Sequence, residues 1–172
     1  MPRRDTMWTV GHSTRAIGEF IDLLNAHGVT RVVDVRRYAG SRAFPQYNPQ
    51  PLERALATAG ISYTAMPNLG GRRKPRPESP HSDWNNPAFR GYADYMDTTG
   101  FAAAASRLAA LARDDRVAVM CAEAVWWRCH RSMIGDWFKA REWQVLHILS
   151  MGEAKEHPYT SVAKVVDGRL SY

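Results

Sequence analysis

The chain has 172 residues, 45% of them apolar, with six Trp, seven Tyr and five Phe, which fits one domain with a real core. Its two cysteines are too few for a disulfide framework, no apolar run approaches the roughly eighteen residues of a membrane span, and the opening Met-Pro-Arg-Arg-Asp-Thr-Met has no leader-length apolar stretch; a reduced, cytoplasmic protein with no membrane partner is expected. Lys and Arg outnumber Asp and Glu by 23 to 17, giving a net charge of +6 and a pI near 9.6, and this basic balance favours an anionic partner such as nucleic acid, a phosphorylated metabolite or an acidic lipid.

Residues 6–10 read as a first strand. Over 16–27, Ile17, Phe20, Ile21 and Leu24 recur at helical spacing, and Gly28 stops the pattern. Residues 31–35 form a β-branched second strand, and 36–51 a long loop punctuated by Gly and Pro. A short helix over 52–59 ends at Gly60, and 61–66 is the third strand. A second long loop follows Pro67 and carries Gly70-Gly71 and the basic run Arg72-Arg73-Lys74-Pro75-Arg76; a loop of that length in a compact domain is functional or mobile. Helices are expected over 89–96 and 101–113, a fourth strand over 116–120, a helix over 127–141 and a fifth strand over 143–149. The tail, 150–172, holds Asp167-Gly168, a hairpin signal. This alternation predicts one α/β domain with a mostly parallel five-stranded sheet flanked by helices.

In such a sheet ligands bind beyond the carboxyl ends of the strands. The first strand runs into Gly11-His12-Ser13-Thr14-Arg15, the second contains Asp34 and runs into Arg36-Arg37, and the fourth runs into Cys121-Ala122-Glu123 and then Trp126-Trp127-Arg128-Cys129-His130-Arg131. These residues should converge. Glu123 carries the most weight, as a general base or a carboxylate that stabilises an oxocarbenium ion; an ion pair with Arg128 or Arg131 is its structural alternative. Asp34 is either a second carboxylate of the site or an ion-pair partner. His12 can shuttle a proton or donate to substrate, while Ser13 or Thr14 can cap the next helix. Cys121 is either a thiolate nucleophile or a small buried hydrophobe. An anion-cradling loop of the rhodanese or phosphatase kind wants Gly and an Arg five residues after the Cys; here Arg128 comes later, Gly is missing and Glu123 intrudes.

Trp126 and Trp127 could wall a pocket for a flat ring. A metal site from His12, Cys121, Cys129 and His130 has no recognised zinc spacing, and two of those residues fall inside a predicted helix, so no metal is expected. Arg36, Arg37 and Arg42, with Arg72, Arg73, Lys74 and Arg76, predict a basic rim interleaved with Tyr38, Phe44, Tyr47 and Trp84. Basic residues hold phosphates, and aromatics stack on bases or wedge between them. The alternative is a solvated loop with the aromatics packed beneath it.

The stretches TVGHSTRAIGEFIDLLNAHGVTRVVDVRRYAGSR, FPQYNP, LGGRR, FRGYADYM and VAVMCAEAVWWRCHR resemble the bacterial domain-of-unknown-function 488 family, over roughly residues 9–149. The resemblance implies a compact Rossmann-like fold. It also implies a link to DNA base excision, since relatives are associated with glycosylases acting on modified pyrimidines such as 5-hydroxymethyluracil. On that reading the chain is a DNA glycosylase that needs no cofactor. Its basic loops grip phosphates, the flipped base lies against Trp126 or Trp127, and Glu123 or Asp34 orients water and stabilises the developing charge. His12 or Arg15 hydrogen-bonds the departing base, with Ser13, Cys121 and Arg128 completing the substrate shell. Two other readings stay open: a rhodanese-like or phosphatase-like enzyme using Cys121, and a non-catalytic nucleic-acid or nucleotide-binding module.

Overall fold

The computed structural model describes residues 4–172; Met1, Pro2 and Arg3, which open the segment read above as lacking a leader, lie outside the described residues. Strands β1 (Thr6–Gly11), β2 (Arg31–Asp34), β3 (Ser62–Ala65), β4 (Val117–Cys121), β5 (Gln144–Ile148) and β6 (Lys155–Glu156) form one sheet in the order β3-β2-β4-β1-β5-β6. The first five are mutually parallel, and β6 runs antiparallel to β5 along the edge. The sheet therefore has one strand more than expected, because a two-residue edge strand is too short to show any periodicity. The helices are α1 (Ile17–Ala26), α2 (Pro49–Thr58), α3 (Pro87–Met96), α4 (Thr99–Asp114) and α5 (Arg131–Lys139).

Both faces of the sheet are covered, which is why its central strands read as continuous apolar runs. The pleat sends Val117, Val119 and Cys121, with Met7 and Val33, towards Tyr92, Phe101, Leu108, Met133 and Phe138 of α3, α4 and α5. It sends Ala118 and Met120, with Trp8, Val10 and Val32, towards Phe20, Leu24, Leu52 and Leu56 of α1 and α2. α2 begins three residues earlier than expected, with Pro49 in its first turn, where a missing N–H costs nothing. The helix expected over 127–141 is instead a 3-10 turn at Trp126–Arg128, an extended Cys129 (φ −135°, ψ 155°) and then α5. Cys129 and His130 thus precede the helix rather than sitting inside it.

The second long loop opens with a 3-10 turn at Pro67–Leu69 and is then irregular as far as Asn86. It is tied down by buried Asp94, which accepts from the Arg76 amide and the Ser79 hydroxyl, each at 2.7 Å. In the tail, Asp167 (φ 52°) and Gly168 (φ 75°) turn β7 (Lys164–Val166) into β8 (Arg169–Ser171), the left-handed pair that a tight hairpin requires. No helix among the described residues is long and apolar enough to cross a membrane.

The topology sets the place for a site. β4 is inserted between β1 and β2, whose chains leave towards α1 and α2, whereas β4 leaves towards α5 on the opposite face. Connections that diverge in this way open a crevice at the strand ends. On the β1 side the crevice is zipped shut, since the His12 and Ser13 amides donate to the Cys121 and Ala122 carbonyls, each at 3.0 Å. This seam needs Gly11: a Cβ there would lie 1.7 Å from the Glu123 carbonyl oxygen and 2.9 Å from the Ala124 Cα, all backbone. Gly11→Ala should therefore lower unfolding stability by at least about 1–3 kcal/mol in urea titrations. Gly18→Ala, where nothing lies within 4 Å of the new methyl group, should show no loss.

Candidate active site

A cleft of about 280 Å³ opens on the β2 side of β4. Arg36, Arg37 and Tyr38 line it from the end of β2, Gly71 and Arg72 from the second long loop, and Ala88, Phe89 and Tyr92 from α3. Cys121, Ala122, Glu123, Arg128, Cys129 and His130 complete it from the end of β4 and the approach to α5. The volume sits at the small end of ligand pockets. The two long loops meet here: Gly70 packs against Arg37, and the Arg37 guanidinium donates to the Arg72 carbonyl at 2.8 Å.

Arg36 is the fixed cation of the cleft. Its guanidinium donates to both Asp34 oxygens, at 2.9 and 2.7 Å, and to the Tyr47 carbonyl at 2.7 Å. Burial opposes its charge, but the Asp34 bonds overcome that cost and hold the pKa above the ordinary arginine value. Asp34 also accepts from the Tyr63 hydroxyl at 2.6 Å and the Arg36 amide at 3.0 Å.

The floor is built from sulfur and one fully buried arginine. Cys121 and Cys129 are free thiols whose sulfurs lie 2.9 Å apart. Arg131 donates from Nε to Cys121 Sγ at 3.0 Å, from one terminal nitrogen to Thr9 Oγ1 at 3.0 Å and from the other to the Glu123 carbonyl at 2.6 Å. His130 Nδ1 lies 3.3 Å from Cys129 Sγ, while its Nε2 is buried with no hydrogen-bond partner among the described residues. Burial lowers the His130 pKa below the ordinary histidine value.

Behind Arg131 runs a buried polar chain. Thr9 and His147 are register partners on β1 and β5, and their side chains hydrogen-bond. His147 Nε2 meets His157 Nδ1 at 2.8 Å, and His157 Nε2 meets Asp136 Oδ1 at 2.8 Å. Read from Asp136, a carboxylate that can only accept, the donors follow in order: His157 Nε2–H, His147 Nε2–H, the Thr9 hydroxyl and Arg131.

The model of a family described as a domain of unknown function, DUF488, matches residues 16–138, more than half of the chain. The chain belongs to the DUF488 family. No curated protein and no solved structure matches it significantly.

In this DUF488 chain the cleft gathers Glu123, Cys121, Arg36, Arg37, Arg72 and Arg128 of the residues singled out above. Several others go elsewhere. Asp34 is not a free carboxylate, because Arg36 and Tyr63 occupy both oxygens. His12 is buried behind Arg36, stacked on Tyr47 at 4.0 Å, with Nδ1 on the Ser13 carbonyl. The Arg15 guanidinium binds the Gly11 carbonyl, and Ser13, at a φ of 53°, serves the β1–β4 seam. Neither tryptophan lines the cleft: Trp126 stacks on His147 at 4.6 Å and Trp127 is exposed. Tyr47 belongs to the core and not to a nucleic-acid rim, while exposed Arg42 does not line the cleft. Arg73, Lys74 and Arg76 line a neighbouring groove with Arg37, Tyr38 and Arg72. In it Arg73 lies 3.8 Å over the Tyr95 ring and Arg76 pairs with Asp94 at 3.5 Å.

Cys129, His130 and Arg131 were hidden by the expectation of a continuous helix through them. Thr9, Asp136, His147 and His157 have no shared local pattern and meet only through sheet register and tail packing.

The buried histidines make stability depend on pH. Burial, with His157 and Arg131 nearby, lowers His147 from 6.5 to about 2, and burial lowers His12 and His130 as well. Between these values the unfolded chain binds protons that the folded chain refuses, so this stability is present above pH 6.5 and is lost as pH falls towards about 2. Each such histidine should contribute a slope of about 1.4 kcal/mol per pH unit inside its window. His147→Gln should flatten the slope in urea unfolding measured across acid pH. An unchanged slope would mean that His147 takes up its proton in the folded state.

Proposed function

We propose that this protein is an enzyme acting on nucleic acid, an N-glycosidase that releases a modified pyrimidine base from DNA by attack of water. The observation that carries the reading is Glu123, an exposed acidic residue lining a cleft whose other charged lining is the rim of Arg37, Arg72 and Arg128 and the buried guanidinium of Arg36. One anion among four cations suits a substrate that brings its own negative charge and develops positive charge at a single carbon during reaction.

Each part has a role. Arg37, Arg72 and Arg128, with Arg73 and Lys74 in the adjoining groove, hold phosphates. Tyr38 is 62% exposed, with Arg37 and Arg72 at 5.4 and 5.6 Å from its ring, and it is the aromatic best placed to fill the gap left by an extruded nucleotide. Phe89 offers an apolar wall to the flipped ring. Glu123 orients water and stabilises the oxocarbenium charge as the bond between the sugar carbon and the base nitrogen breaks. The water oxygen ends on the sugar and its proton ends on the base. Negative charge growing on the departing base is met by Arg36, which Asp34 keeps rigid and charged. Asp34 therefore positions Arg36 and takes no direct part in the chemistry.

The test uses duplex oligonucleotides carrying 5-hydroxymethyluracil and other modified pyrimidines, with mass spectrometry of free base and abasic strand. Glu123→Gln should reduce release by about 10²–10⁴-fold while leaving DNA retention intact. Arg72→Ala should weaken retention and reduce the slope of log affinity against log salt by about 1. Salt-dependent retention without release from any substrate would leave a binding module in place of an enzyme. Neither retention nor release would end the nucleic-acid reading.

A further inference from the structure

The glycosidase reading makes no use of the two thiols on the floor of the cleft. Their sulfurs are 2.9 Å apart, they are only 3% and 8% exposed, and both line the cleft, which is their route to solvent. Cys121 ends β4, while Cys129 lies in extended backbone just before α5. The chain turns back between them, so the two sulfurs face each other across that turn. Burial alone would make both inert. However, Cys129 Sγ accepts from the Arg131 amide at 3.5 Å, which favours a thiolate, and lies 3.3 Å from His130 Nδ1 and 2.9 Å from Cys121 Sγ. Tyr92 packs on His130 from α3, with ring centroids 5.1 Å apart.

We propose that Cys121 and Cys129 form a redox-active dithiol that reduces a small anionic disulfide admitted by the cleft, with Cys129 attacking and Cys121 resolving. The Cys129 thiolate forms a bond to one substrate sulfur, and the substrate S–S bond breaks with its electron pair leaving on the other sulfur. Cys121 then gives up its proton to the released thiolate and attacks Cys129 Sγ, expelling the second half of the substrate as a thiolate. Two electrons pass from the dithiol to the substrate, and an intramolecular Cys121–Cys129 disulfide remains for an external thiol to reduce. From 2.9 Å the sulfurs need move less than about 1 Å to bond. The pKa values agree in direction: the contact with Cys121 brings Cys129 down to about 7, while burial drives Cys121 well above its ordinary value. An attacking thiol is most effective when its pKa is near ambient pH. The anionic preference follows from exposed Arg37, Arg72 and Arg128 around the entrance.

The probe is dithiobis(nitrobenzoate), an aromatic disulfide bearing carboxylates, applied to the full chain in the absence of nucleic acid, so the outcome is independent of any glycosidase activity. The wild type should release both thiol halves per chain and finish two hydrogens lighter by mass, with no adduct and with Cys121 and Cys129 joined in the peptide map. Its initial rate should fall as pH drops through about 7. Cys121→Ser should release one half and keep the other on Cys129. Neutral dipyridyl disulfide should react at least roughly tenfold more slowly relative to its rate with the urea-unfolded chain. A persistent adduct on the wild type, or folded-state rates no faster than those of the unfolded chain, would overturn the proposal, and neither readout requires a variant that folds. Equal preference for the two disulfides would overturn its anionic part.

Discussion

The site hangs on one buried cation. Arg131 is 0% exposed, and its three donor positions reach β4 through Cys121, β1 through Thr9 and the loop beyond β4 through the Glu123 carbonyl. A buried charge without partners costs several kcal/mol, more than a marginally stable domain can spare. Among the described residues no carboxylate touches this guanidinium. It is answered instead by polarisable sulfur and by the directed chain through Thr9, His147 and His157 to Asp136. In a low-dielectric interior such aligned hydrogen bonds strengthen one another. Asp136 is itself secured by the Thr160 hydroxyl at 2.6 Å and the Tyr172 hydroxyl at 2.8 Å. The tail, which lies beyond the stretches that carry the family resemblance, therefore anchors the far end of the network beneath the cleft.

Arg36 and Arg131 share a design on either side of β4. Each is buried, each is held by several acceptors, and each presents charge to the cleft or its floor without freedom to reorient. The outer cations, Arg37, Arg72 and Arg128, are exposed and subject to salt screening. The cleft thus has two layers of positive charge with different physics. The rim attracts and orients anions over distance, weakly and in a salt-dependent way. The floor acts only on groups that reach it, at full strength and with no reorganisation.

The apolar runs made the strands legible, and the loops that follow them marked the sheet edge where the cleft opens. Asp34 shows the limit of that reading. A carboxylate at a strand end looks catalytic until its neighbour two positions on is considered, and in extended chain Asp34 and Arg36 share a face; the ion pair was latent in the spacing. The tryptophans failed for a different reason. A 3-10 turn at Trp126–Arg128, where an α-helix was expected, turns Trp126 onto His147 and leaves Trp127 in solvent. Nothing local announces that turn, because it follows from Arg131 and Cys129 being pinned to β4. The Thr9–His147 contact depends on parallel register between strands 138 positions apart, which a single sequence does not encode in any short pattern.

Why the dithiol floor should hold one negative charge and not two is a question of magnitude. At 2.9 Å two thiolates would repel by about 6 kcal/mol even at an effective dielectric constant of about 20, so the pair ionises once in the neutral range. The shifts favour Cys129 as the site of that charge, lowered to about 7 where burial raises Cys121, although Arg131 Nε points at Cys121. Cys129 lies against a backbone amide and the His130 ring, whereas Cys121 is the more deeply buried of the two and its S–H faces the Glu123 carbonyl at 3.7 Å. Arg131 then works from behind, holding Cys121 in place and offsetting the charge of the pair as a whole. The same logic governs what can enter. With Glu123 and one thiolate already present, only the rim guanidiniums remain to meet an incoming anion, so its negative groups must stay at the mouth while its uncharged, reactive part goes to the floor. Both proposed substrates divide in this way, a phosphate-bearing nucleotide and a carboxylate-bearing disulfide each keeping its charge at the mouth and its reacting bond further in.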